Sequence, residues 1–213
     1  MSKKNKKNLL LDIDQTLICA CDSDEYTFGK DKKMDTKACN KIFKKLEMDD
    51  YYIIFQRPNL QNFLDFIFEN FNVSVWTAAS KDYALFIINK IILRLDAKDK
   101  DKPKKERHLD YIFFSYHCDI SKKIKKGTKD LSILRDDFKM TGYSLKNTFI
   151  IDDYNEVYKT QPNNCIKILP FNFTDDCSKD DSELLKIQIE LENMVKHSKK
   201  LSIDDINKKL KKK

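Results

Sequence analysis

Glycine is nearly missing from this chain: 3 of 213 residues, where usage of ~7% would supply about 15. Gly29, Gly127 and Gly142 lie far apart, which excludes G-x-G-x-x-G, the P-loop and the G-x-S-x-G nucleophile elbow. Any phosphate chemistry must therefore proceed without a glycine cradle. Histidine is also scarce, at 3, and the 6 cysteines form no C-x-x-C pair, so a zinc site is not expected. No cysteine has an arginine six positions later, which removes the loop of cysteine phosphatases. No apolar run approaches the ~18 residues of a membrane span, and residues 1–8 are polar apart from Met1. The expectation is an intracellular protein, nuclear or cytoplasmic, with reduced thiols and no membrane partner.

Charge is plentiful but unevenly placed. The net charge is +7. Residues 1–8 carry four lysines and no acid, and residues 196–213 carry eight lysines against Asp204 and Asp205, leaving 9–195 mildly acidic. A basic groove for nucleic acid is not indicated in the body. The Lys-rich ends are candidates for an acidic partner or nucleic acid.

Apolar runs at Leu9–Leu11, Tyr51–Phe55, Val73–Trp76, Tyr111–Phe114, Asn147–Ile151 and Cys165–Leu169 read as strands. Leu60, Phe63, Leu64, Ile67 and Phe68 form one helical stripe. Further helices are expected over 81–94, opened by Ser80, and over 181–196. The polar stretch 22–50 suggests a flap over Glu25–Lys30 with Gly29 at its turn. After it, a helix capped by Asp35 would carry Ala38, Ile42, Phe43 and Leu46. Residues 96–107 read as an exposed charged loop. Ser202 opens a short amphipathic segment with Ile203, Ile206 and Leu210 on one side. Trp76 reads as core. The alternation implies an α/β fold with a parallel sheet covered on both faces, in which ligands collect at the carboxyl ends of strands.

Three strands end in residues able to do chemistry: Asp12, Asp14 and Thr16; Thr77; and Asp152 with Asp153. With 26 aspartates, the three D-x-D triplets are no more than chance supplies. Only the first follows an apolar strand and continues to a threonine. Of the six Asp-Asp pairs, only 152–153 directly follows an apolar run.

This ordered set resembles the haloacid dehalogenase-like phosphatase superfamily. Asp12-Ile13-Asp14-Gln15-Thr16-Leu17 matches its first motif, Thr77 the second, Lys129 in Lys129-Asp130-Leu131 the third and Asp152-Asp153 the fourth. Composition alone does not separate Lys129 from Lys122, Lys123, Lys125 and Lys126. Arg57-Pro58 before the first long helix narrows the resemblance to the branch acting on the C-terminal repeats of RNA polymerase II. Lys146–Asp153, Gln161-Pro162-Asn163-Asn164 and Ile166–Phe171 are similar to its ubiquitin-like-domain-containing form. The ubiquitin-like domain itself is not expected, since eleven residues precede Asp12.

The resemblance implies a three-layer Rossmann-like core over 9–197 with small insertions and no large cap, a basic tail over 1–8, and a basic tail or short amphipathic helix over 198–213. It implies Asp12 as nucleophile and Asp14 as general acid and base. Thr77, Lys129 and Thr16 would contact the phosphate, although the Thr16 hydroxyl could instead close the turn after Asp14. Mg2+ would be held by Asp12, the Asp14 carbonyl and Asp153, with Asp152 and Arg57 in support. The short, charged insertions 18–50 and 96–128 suggest a site open to a phosphorylated protein or peptide. A phosphatase for a small metabolite or a nucleic-acid 3′-phosphate, and a catalytically silent scaffold of the same fold, are the competing readings.

Overall fold

The computed structural model describes residues 6–22, 43–125, 127–175, 178–196 and 202–211. Five parallel strands form the main sheet in the order β6-β5-β1-β7-β8. They are β1 (Asn8–Leu11), β5 (Asn72–Trp76), β6 (Ile112–Phe113), β7 (Thr148–Asp152) and β8 (Cys165–Lys167). β1 lies at the centre, paired in parallel with β5 and β7. Leu9, Leu10 and Leu11 are fully buried because both faces of the sheet are covered.

Side chains alternate across that sheet. Leu9 and Leu11 join the larger core with Phe63, Leu64, Ile87 and Leu191. These come from α1 (Leu60–Asn70), from α2 (Lys81–Ile87), which runs on into a wide turn at Ile88–Ile92, and from α6 (Glu183–Lys196). Leu10 joins Trp76, Cys118, Leu134 and Val157 on the other face, under α3 (Ser115–Lys125), α4 (Ser132–Asp136) and α5 (Asn155–Thr160). Trp76 is core, with no exposure.

A second, antiparallel sheet of order β2-β4-β3 was only partly legible. β4 (Tyr52–Gln56) matches an expected strand, whereas β2 (Ile18–Asp22) and β3 (Lys45–Met48) were not anticipated. Leu46 is therefore in a strand opposite Ile54, not on a helix with Phe43. Phe43 instead packs edge-on against Phe55 and Phe171. The expected flap and the start of that helix lie outside the described residues. Arg107 also departs from the exposed-loop reading. It is buried, bonding Asp65, Gln61 and the Ile92 carbonyl.

The C-terminal segment forms α7 (Ile203–Leu210), opened by a reciprocal Ser202–Asp205 capping box. Asn207 accepts the Lys167 N–H and donates to the Cys165 carbonyl, closing the free edge of β8. Lys208 and Lys209 pair with Asp204 and Glu190, so part of this basic end is neutralised internally.

Glycine scarcity has a structural counterpart. Seven non-glycine residues have positive φ among the described residues, against Gly142 alone of the glycines. Asp49 and Asp50 turn the β3–β4 hairpin in this way, where glycine would be the usual choice. Gln15 and Lys129 are the other two that matter here, because both lie at the candidate site.

Candidate active site

The carboxyl ends of β1, β5 and β7 place Asp12, Thr77 and Asp152–Asp153 on one edge of the sheet. Asp12 is the hub. Its Oδ1 accepts from Lys129 Nζ at 2.5 Å and its Oδ2 from the Thr16 hydroxyl at 3.0 Å. Lys129 also donates to Asp152 Oδ2 at 2.8 Å, and Thr16 lies 3.3 Å from Asp153 Oδ1. Asp12, Lys129 and Asp152 are all buried. Burial works against the lysine's charge, but the Asp12 and Asp152 carboxylates outweigh it and hold its pKa above the ordinary lysine value. Among the described lysines of that run, the geometry thus singles out Lys129.

Each of Asp12, Asp152 and Asp153 offers an oxygen, all within 4.8 Å of one another. Burial, then the Asp12 charge, pushes the carboxyls of Asp152 and Asp153 up. Buried Asp12 and Asp152 share the Lys129 ammonium, and half-buried Asp153 adds a third carboxylate without bonding it, an all-oxygen, anion-rich set suited to a hard divalent cation.

Asp14 is half-buried and accepts from the Tyr83 hydroxyl at 2.7 Å. Burial is the main reason its pKa is pushed up to about 6. The Tyr83 hydrogen bond opposes this and the Asp12 charge adds to it. A raised carboxyl favours folding below the unfolded value near 3.8, and that contribution is lost as pH rises through about 6. Asp14→Asn is therefore expected to raise the metal-free melting temperature at pH 7.5, by an amount equivalent to at most about 3 kcal/mol. The difference should shrink as pH falls through about 6 and vanish only below about 3.8, as calorimetry in chelator would show.

Tyr83, absent from the sequence-based set, sits on α2 edge-on to Tyr52, their ring centroids 5.2 Å apart. Its signal was weak: a tyrosine on an otherwise apolar helix reads as core. Thr77 makes no direct bond to the carboxylate cluster. Its Oγ1 accepts the Ala79 N–H at 3.0 Å, which leaves the hydroxyl proton available to a ligand. Burial pushes the Cys118 and Cys165 thiols up, so neither is suited to nucleophilic attack.

Arg57 acts from behind the loop. Its Nε and Nη2 grip both oxygens of Asp181, while Nη1 donates to the Gln15 and Thr16 carbonyls and Nη2 to the Leu169 carbonyl. All five donors are engaged, and the guanidinium faces the Phe171 ring. Arg57 therefore fixes the backbone that follows Asp14. Lysine cannot reproduce this fork, so Arg57→Lys is expected to destabilise by ~3 kcal/mol or more in urea unfolding.

The comparisons agree with this geometry. The profile of the NLI interacting factor-like phosphatase family matches residues 7–202. The CTD phosphatase-like protein 355R of Invertebrate iridescent virus 3 is 44% identical over 193 residues, covering 90% of this chain and 98% of the relative. The 355R protein of Invertebrate iridescent virus 6 is 41% identical over 186 residues, covering 85% and 95%. Fission yeast RNA polymerase II CTD phosphatase Fcp1, solved with beryllium fluoride, shares the fold with a TM-score of 0.53 at 21% identity. That alignment covers 92% of this chain and 52% of the Fcp1 chain, so this chain spans about half of that structure. With a parallel α/β core, acidic residues at the ends of its central strands and a family match along nearly its whole length, the chain belongs to the NLI interacting factor-like phosphatase family.

Proposed function

We propose that the chain is a Mg2+-dependent phosphoserine and phosphothreonine protein phosphatase working through an aspartyl-phosphate. The observation that carries this reading is Asp12 held between Lys129 and Thr16, beside Asp152 and Asp153. Asp12 attacks phosphorus, the bond to the serine oxygen breaks, and Asp14 delivers a proton to that oxygen. Asp14 then takes a proton from the water that attacks the phosphoryl group, releasing phosphate and restoring Asp12. Thr77 and Lys129 hold the equatorial oxygens. Asp12, the Asp14 carbonyl and Asp153 would hold Mg2+, with Asp152 orienting Lys129. A bound Mg2+ supplies charge that offsets repulsion between carboxylate and phosphate.

The names of the viral relatives and of the yeast structure favour phosphorylated repeats of an RNA polymerase II-like C-terminal domain as substrate. The test compares kcat/KM for phosphopeptides, sugar phosphates and 3′-phosphorylated oligonucleotides, with and without Mg2+. Phosphopeptides are expected to be the best substrates. Preference for the oligonucleotide or a sugar phosphate would refute the protein-phosphatase reading, and no turnover of any of them would favour a scaffold.

Tyr83 orients the acid, so its effect should follow the leaving group. Tyr83→Phe is expected to slow hydrolysis of phosphoserine peptide by about 10-fold. It should affect p-nitrophenyl phosphate much less, because that leaving group departs without a proton.

A further inference from the structure

Building on the phosphatase reading above, we propose that Gln161 is a positioning residue that sets the backbone of Lys129 and so aims its ammonium group into the carboxylate cluster. Gln161-Pro162-Asn163-Asn164 has no part in the chemistry described so far. Yet the Gln161 side chain donates to the Lys129 carbonyl at 2.8 Å and accepts the Leu131 N–H at 3.0 Å. One amide thus bridges two alternate residues, as a neighbouring strand would.

Lys129 needs such a hold. Its φ of 55° is left-handed, a region unfavourable to a side-chain-bearing residue by ~1 kcal/mol or more, which persists only where surroundings enforce it. Gly127, the glycine of this turn, does not adopt it. Ser121 steadies the flanks, donating to the Gly127 carbonyl at 2.6 Å and accepting the Asp130 N–H at 2.9 Å. Gln161 grips the peptide of Lys129 itself. A shift of that residue to a right-handed or extended conformation would swing Nζ away from Asp12 and Asp152.

Gln161 also stands at the C-terminal end of α5, whose start is tied to the site by Tyr154 N–H on Asp152 Oδ1 at 2.8 Å. One short helix therefore spaces the lysine turn from the carboxylate pair. Asn207 of α7 steadies the following loop through the Pro162 and Cys165 carbonyls without touching Lys129.

The experiment measures kcat and KM for p-nitrophenyl phosphate, and urea midpoints, for wild type, Gln161→Leu, Lys129→Met, the double variant and Asn207→Ala. Gln161→Leu is expected to lower kcat about 10-fold with KM within about twofold. It should lower the midpoint in wild type and by less than half as much in Lys129→Met, where no ammonium remains to aim. Asn207→Ala should lower the midpoint without changing kcat. Unchanged kcat in Gln161→Leu, or its full midpoint shift reproduced in Lys129→Met, would overturn the assignment. Should Gln161→Leu fail to fold, Gln161→Glu keeps the Leu131 acceptor but turns a carboxylate oxygen onto the Lys129 carbonyl. The same kcat loss is then expected, and wild-type kcat would overturn the assignment. The midpoint comparison needs no turnover, so it stands apart from any failure of the phosphatase reading.

Discussion

Replacing Asp12 with asparagine is expected to lower kcat for p-nitrophenyl phosphate by at least about 1,000-fold, with the protein still folded. An amide cannot attack phosphorus, so the covalent route closes. It can still accept the Lys129 hydrogen bond that Asp12 Oδ1 now receives, and Thr16 can turn to Asp153. Calorimetry should therefore show a melting transition close to wild type, separating a chemical loss from an unfolded one. Chelation of divalent ions should produce a comparable loss in wild type. Undiminished turnover by Asp12→Asn would exclude Asp12 as the nucleophile.

Lys129→Met should have the second largest effect, for two reasons that different measurements separate. In the reaction, one preorganised cation disappears from the phosphoryl oxygens, a loss of order 100- to 1,000-fold in kcat/KM. In the fold, Asp12 and Asp152 remain buried with their shared cation removed. Breaking one side of such a pair costs about 3–5 kcal/mol. The sign of the pH dependence follows from the charges. Without the ammonium, which now holds it down, the Asp152 carboxyl is pushed up further, so the deficit is full at neutral pH and shrinks as acid protonates it. A deficit that did not change with pH would show that the lysine contributes packing rather than charge.

The strands that carry the site were legible because they are buried on both faces. Leu9–Leu11, Val73–Trp76 and Phe149–Ile151 form nearly unbroken apolar runs, each ending where polar residues begin. Their order, β5-β1-β7, then brings the strand-end residues to one edge. β2 and β3 were not legible, since Cys19-Ala20-Cys21 and Lys45-Leu46-Glu47 carry no strong period of their own. Leu46 falls into a helical spacing with Ala38, Ile42 and Phe43 by coincidence, and pairing with β4 decides its state.

Long-range bonds hid the rest. Asp181 lies 124 positions from Arg57, and Gln161 lies 32 from Lys129. The composition did carry a clue whose meaning emerged only in the fold. With so few glycines, strained turns fall to Gln15 and Lys129, and such residues need partners to hold them. Arg57 and Gln161 are those partners.

The aspartyl-phosphate mechanism rests on a covalent bond to one side chain. Protein quenched in acid during turnover of p-nitrophenyl phosphate, reduced with borohydride and digested should yield a peptide in which homoserine replaces Asp12, read by mass spectrometry. The signal should require Mg2+ and vanish in Asp12→Asn. Steady turnover with Asp12 unmodified, or the label on any other residue, would contradict it.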